Sequence, residues 1–196
     1  MTKKADIDAP FGSSDGTINA GKVTAAKLAT AAKACSVLLS ELRQQAAWKD
    51  ALPDAPNATA LGMADAAGSL LTGTQTNNTS ASEVAAFASV LPENYVDGQA
   101  ITVRVRAKVS AARQVSATVD VVAKKVGDTL GSDICATAAQ NLTTSYANYD
   151  FTITPTGLVA GDVLWIEVYL ATNDTGGSTN GTPTATAISV RPVCYV

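Results

Sequence analysis

Nine residues, Ile101-Thr102-Val103-Arg104-Val105-Arg106-Ala107-Lys108-Val109, alternate without a break: every odd position is apolar and every even one polar or charged. Successive side chains of a β-strand point to opposite faces, so such a run has one face for a core and one for water. A helix would scatter both sets around its circumference. The chain is therefore committed to an antiparallel sheet with one buried side. Residues 115–125 repeat the pattern, with Ala117, Val119, Val121 and Ala123 set against Ser116, Thr118, Asp120 and Lys124. Tyr149, Phe151 and Ile153 alternate with Asp150 and Thr152. Residues 163–170 (VLWIEVYL) are apolar on both faces except at Glu167, which predicts a central strand or one at an interface.

Other pieces fill in the fold. A first strand is expected after residue 61 and a second at 81–91, separated by the Gly/Thr/Asn-rich stretch 73–80. Residues 184–196 form a last β-rich run, in which Pro192 predicts a sheet edge or bulge. Turns are marked by Asp97-Gly98, by Ala160-Gly161-Asp162 and by the long tip 173–181. Seven or eight short strands with these gaps predict an antiparallel β-sandwich, jelly-roll-like, over residues 61–196.

The first 60 residues read differently. Residues 1–21 place Ile7, Phe11 and Ile18 singly among Asp, Gly, Ser and Pro, which predicts an extended N-terminal arm that is disordered alone or ordered against a partner. Residues 22–49 are rich in helix formers, and Ala25, Leu28, Ala32, Cys35, Leu39, Leu42 and Ala46 follow a 3-4 spacing. That spacing predicts one long α-helix with an apolar seam, packed either on the chain's own β-domain or on symmetry mates. Residues 50–60 (DALPDAPNATA) are the Pro-containing linker, so the organisation expected is arm 1–21, helix and linker 22–60, and sandwich 61–196.

Composition removes whole classes of chemistry. There is no histidine in 196 residues, which excludes Ser-His-Asp and Cys-His catalysis and the commonest zinc ligand. The formal net charge is −3 and no basic block occurs, which argues against nucleic acid as a partner. The row Arg104, Arg106 and Lys108 reads first as a solvated or salt-bridged sheet face, and second as a contact for an acidic protein surface. No apolar run approaches the ~18 residues of a membrane span, and the polar first eight residues lack a signal-peptide core, so synthesis in the cytoplasm and no membrane partner are expected. Asp133, Asp150, Asp162 and Glu167 are the acids available for acid–base work, but Asp162 reads as a turn cap and Asp150 and Glu167 as polar-face strand residues. Asn173, Asp174, Asp162 and Asp133 lack the spacing of a calcium loop. No nucleotide loop is present, so no enzyme activity, cofactor or metal is expected. Cys35, Cys135 and Cys194 read as buried free thiols, with a Cys135–Cys194 bridge left open.

One resemblance adds to this. Leu91-Pro92-Glu93-Asn94-Tyr95-Val96-Asp97-Gly98-Gln99, followed by Ile101-Thr102-Val103-Arg104-Val105, resembles a turn-and-strand segment recurrent in tailed-bacteriophage virion proteins. Gly131-Ser132-Asp133-Ile134-Cys135, Ala138-Ala139-Gln140, Tyr149-Asp150-Phe151 and Gly157-Leu158-Val159-Ala160-Gly161-Asp162 are similar to the same pattern, which spans residues 61–196. The resemblance implies a trimeric jelly roll on a phage head: a cement (decoration) or head-fibre protein with no catalytic residues, made in the bacterial cytoplasm and located on the outer surface of the virion. Its partners would be further copies of itself and the phage major capsid protein. On that reading Leu28, Ala32, Cys35, Leu39, Leu42 and Trp165 are candidates for self-association, and Ile7, Phe11 and Ile18 for capsid contact. The alternative is a carbohydrate- or receptor-binding module of a tail fibre or spike, using the 173–181 tip and exposed tyrosines.

Overall fold

A computed structural model of the chain describes residues 32–34, 37–47, 50–64, 69–72, 80–110, 116–173 and 183–195. These residues form ten strands: β1 (Ala32–Ala34), β2 (Gly62–Ala64), β3 (Ser69–Leu71), β4 (Ser80–Val90), β5 (Ile101–Val109), β6 (Ser116–Lys125), β7 (Gln140–Asn141), β8 (Ala147–Ile153), β9 (Val163–Asn173) and β10 (Ala185–Tyr195). A six-stranded sheet has the order β2-β3-β10-β5-β8, with β1 also on β10; a four-stranded sheet has the order β4-β9-β6-β7. Every pairing between these strands is antiparallel. From β3 onward the chain passes from one sheet to the other at each connection except β6 to β7, which is the strand order of a jelly-roll-like sandwich.

The alternation read at 101–109 is realised in β5: Val103, Val105 and Ala107 are fully buried while Arg104 and Arg106 are exposed. Across the interior they meet Val119, Val121 and Ala123 of β6 and Leu164, Ile166, Val168 and Leu170 of β9, with Phe151 and Ile153 from β8. Each large side chain buried this way contributes about 1.5–3 kcal/mol. The strand at 163–170 is central, as its two-sided apolar pattern predicts, and it extends to Asn173.

The expected long helix is overturned. Among the described residues there is no α-helix: Ala32–Ala34 is a strand paired with Val193–Tyr195, and Leu39–Glu41 is a single 3-10 turn. Arg43 then exchanges backbone hydrogen bonds with Ala86 of β4 (2.8 and 3.0 Å). Residues 22–31, 35, 36, 48 and 49 of that segment, and the whole arm 1–21, lie outside the described residues. Helix propensities differ by less than about 1 kcal/mol per residue among ordinary side chains. Burying Leu42 in the core and satisfying a sheet edge outweigh that preference.

The described residues 37–47 and 50–61 therefore act as a strap along β4. Leu42, Leu52, Ala60 and Leu61 join the core of the sandwich. Val84 N–H donates to Thr59 O (3.0 Å) and Leu61 N–H to Val84 O (3.2 Å), covering part of the β4 edge. Asn57 sets the turn by accepting from the N–H groups of Thr59 and Ala60 (3.0 and 2.8 Å). A β-carbon at Gly62 would collide with the Pro56 backbone, so the strap closes down only over a glycine.

Two of the segments that carry the phage resemblance, 91–99 and 157–162, meet at one corner of the sandwich. Leu91 and Tyr95 are buried, Tyr95 N–H donates to Pro92 O (2.9 Å), and the Tyr95 hydroxyl donates to Gln99 O. Gly98 sits at φ +79°, a left-handed position that only glycine adopts without strain. Leu91 N–H donates to Asp162 O (2.8 Å) and Gly161 N–H to Leu91 O (3.0 Å), tying this corner to the 157–162 turn. Pro192 falls where β10 has β5 on one side and, among the described residues, a gap between β3 and β1 on the other. That is a local edge of the kind a proline tolerates. The bulge itself lies at Ile188, between Ala187 and Ser189.

Candidate functional site

The outer face of the four-stranded sheet carries a hydrogen-bonded set of polar and aromatic side chains. β9 runs through its middle and points Val163, Trp165, Glu167 and Tyr169 outward, because their neighbours in sequence fill the core. Register places Ala88 and Lys124 beside Trp165, Ala86 and Val122 beside Glu167, and Val84 and Asp120 beside Tyr169.

Glu167 is the centre of this face, and although it points outward it is only 2% exposed. Its Oε1 accepts from Trp165 Nε1 (2.8 Å), Gln45 Nε2 (3.2 Å) and Lys124 Nζ (3.4 Å), and its Oε2 accepts from the Tyr169 hydroxyl (2.9 Å). The small side chain of Ala86 leaves room for the strap to bring Gln45 in. Burial pushes the Glu167 carboxyl up. The hydrogen bonds from Trp165, Tyr169 and Gln45, together with the Lys124 charge, outweigh it and hold the group below the usual glutamate range. Tyr169 is driven the other way, to about 12, by burial and then by its bond to Glu167 and the nearby charges of Glu167, Asp120 and Asp133. Neither group exchanges a proton near neutrality. The arrangement fixes two aromatic rings.

Two further carboxylates stand beside it. Asp133 accepts from Ala123 N–H (3.0 Å) and Cys135 N–H (2.9 Å), which accounts for it structurally. Asp120 accepts from Val121 N–H (2.9 Å), and its carboxyl is raised by burial and by the Asp133 charge. Asp162 accepts from Val159 N–H (2.8 Å) and pairs with Lys125 (2.7 Å), the turn-capping role its position predicts. Among the described residues no group of three or more Cys, Asp or Glu is placed to hold a metal ion. Among them, too, no helix is long and apolar enough to cross a membrane.

The same face ends in an apolar row. Val90 of β4 pairs with Val163 of β9, and Val126 N–H donates to Val163 O (2.9 Å), so three valines stand side by side. Leu130 bridges to Val126 next to them. Val90 is 60% exposed and Leu130 50%.

Of the sequence candidates for self-association, Trp165 lies half-buried on this face. Leu42 is buried in the core and Leu39 packs against it, while Ala32 is in β1, so the described members form no helical seam. Leu28, Cys35, Ile7, Phe11 and Ile18 lie outside the described residues, as do positions 174–181 of the tip. No bridge joins Cys135 to Cys194; Cys135 is a half-buried free thiol and Cys194 is buried. Burial raises the Cys135 thiol above its ordinary value, away from reactivity. Sequence reasoning missed Gln45 and Tyr169. The signal for them was Glu167 itself: a lone acid in a strand apolar on both faces must find several donors.

No protein-family model matches the sequence, and no curated protein matches it. Among solved structures, one described as "CBM4 structure and function" is similar at 14% identity and a TM-score of 0.32, over 69% of this chain and 85% of that one. A TM-score of that size supports no assignment. The sandwich architecture stands on the strand pairings themselves.

Proposed function

We propose that this chain is a phage virion structural protein: a homotrimeric cement or decoration protein that binds the outer surface of the assembled capsid and stabilises it. The observation that carries the reading is the apolar end of the four-stranded sheet, where Val90, Val126, Leu130 and Val163 stand together beside the fixed Trp165 ring. Contiguous apolar surface of this kind supports an interface reading. A three-fold ring of copies would cover it by a closed, head-to-tail contact. The resemblance of the Leu91–Gln99 and Gly157–Asp162 segments to phage virion proteins supplies the setting, and those two segments are hydrogen-bonded to one another in a single corner. Stabilisation would follow from mass action, since a protein that binds only the assembled shell favours that state. Contact with several shell subunits at once would add avidity. Sedimentation equilibrium tests the oligomer: a mass three times that of the chain supports it, and a monomer at micromolar concentration removes it.

A second reading is a carbohydrate-binding module. Its support is the pair of half-buried rings, Trp165 and Tyr169, held on either side of Glu167. Titration with a panel of soluble glycans, read by tryptophan fluorescence, distinguishes the two. A saturable change that Trp165→Ala abolishes, with head binding absent, would favour this second reading.

A further inference from the structure

The outer face of the six-stranded sheet has a different character. β5 projects Arg104, Arg106 and Lys108 from it. β10 sets Arg191 directly opposite Arg104 and Ser189 opposite Arg106, while β8 sets Asp150 and Asn148 opposite the same two arginines on the other side. Arg104 is neutralised by two hydrogen bonds to Asp150 (2.7 and 2.6 Å). Lys108 lies 4.6 Å from the centre of the Tyr146 ring. Arg106 and Arg191 are exposed, and neither has a side-chain ion pair or hydrogen bond among the described residues.

Among the described residues, these four cations stand against one carboxylate, an excess of three positive charges on a chain whose net charge is −3. The arrangement works against the fold, because like charges opposite each other in an antiparallel pair are destabilising. Arg191 faces Arg104 in register and Arg106 stands diagonal to it. A threonine or asparagine would cover the sheet as well, as Thr102, Thr152 and Asn148 do beside them. The repulsion is relieved when carboxylates lie across both strands, and guanidinium groups take carboxylates in a two-point geometry. Alternate residues of one strand are ~6.8 Å apart, a spacing that matches acids at every second position of an extended partner segment. Nucleic acid fits less well: Tyr146 is the ring beside this row and Lys108 lies over it, so that face is not open for base stacking.

We propose that this face, centred on Arg106 and Arg191, docks an acidic protein surface. The proposal does not depend on the virion reading, since it concerns the opposite sheet and holds for either proposed function.

The test uses the full chain and three polymeric probes, poly-L-glutamate, a heparin oligosaccharide and a single-stranded oligonucleotide, each labelled and followed by fluorescence anisotropy at low and high salt. Poly-L-glutamate should bind, more weakly as salt rises, and the double variant Arg106→Gln/Arg191→Gln should lose roughly tenfold in affinity with its thermal midpoint kept. The reversal Arg106→Glu/Arg191→Glu should bind poly-L-lysine instead. No binding of poly-L-glutamate by the wild-type chain, tighter binding of heparin or the oligonucleotide, or unchanged affinity in the folded double variant would each overturn the proposal.

Discussion

Trp165 Nε1 donates to Glu167 Oε1 at 2.8 Å, so the indole is tied to a carboxylate two residues further along its own strand. Tyr169 is tied to the other oxygen of the same group from the opposite direction. One buried charge thereby fixes two large rings on the outer face of the four-stranded sheet. Rings held this way lose little further freedom when a partner covers them, which favours binding by fit.

Removing that carboxylate should be costly. Glu167→Ala leaves Lys124, the indole N–H and the Tyr169 hydroxyl without their shared acceptor, and the expected loss is about 3 kcal/mol in urea unfolding. Glu167→Gln keeps an acceptor but no charge and should lose less. A variant as stable as the wild type would show that the cluster is incidental.

The alkaline behaviour of one tyrosine should report the same cluster. Tyr169 is raised to about 12, so its contribution to stability is intact below the unfolded value of about 10 and drains away as pH rises toward about 12. Phenolate absorbance should show Tyr169 titrating late in the wild type, beside Tyr95, which burial also raises. In Glu167→Gln, Tyr169 should titrate nearer to the ordinary value.

Acid should act with the opposite sign at most carboxylates. Hydrogen bonding with Arg104 lowers Asp150, hydrogen bonding with Lys125 lowers Asp162, and the Glu167 donors outweigh burial to lower that group. Their contributions are intact above the unfolded carboxyl range near pH ~4 and are lost as pH falls through the lower folded values. Asp120 runs the other way, because burial raises it and the folded chain prefers it protonated. Asp120→Asn should raise the melting temperature at neutral pH, with the gain shrinking as pH falls into the range where Asp120 protonates. Equal midpoints for the two chains at pH 7 would contradict this.

Thr172 offers a stabilising change. Its hydroxyl is buried on the core side of β9, opposite Ala81 and Ala117, and has no hydrogen-bond partner among the described residues. Thr172→Val should add about 1 kcal/mol by removing an unsatisfied polar group. A lower thermal midpoint would mean that the hydroxyl contributes after all.

The sandwich was largely legible because its strands obey a period of two: 101–109, 116–125 and 149–153 each fall in a strand with the expected face buried. The strap was not legible. Leu39 and Leu42 have helical spacing, yet what decides their conformation is the edge of β4 and a vacancy in the core, which are features of distant sequence. The site was half visible. Trp165 and Glu167 stood out within an apolar strand, but Gln45 reaches Glu167 across 122 positions of sequence, a distance no local pattern reports. Asp162 was readable as a cap because its bond is to a residue three positions away.

The virion reading places the chain on the outside of a phage head, and one measurement tests that directly. Purified full-length protein would be added to expanded heads that lack it, then pelleted and imaged by electron cryomicroscopy. The account predicts trimeric density on the outer surface at three-fold positions, with heads that survive higher temperature, and loss of both with Val126→Asp/Leu130→Asp. Protein left in the supernatant with the heads bare, or density confined to a tail, would contradict it.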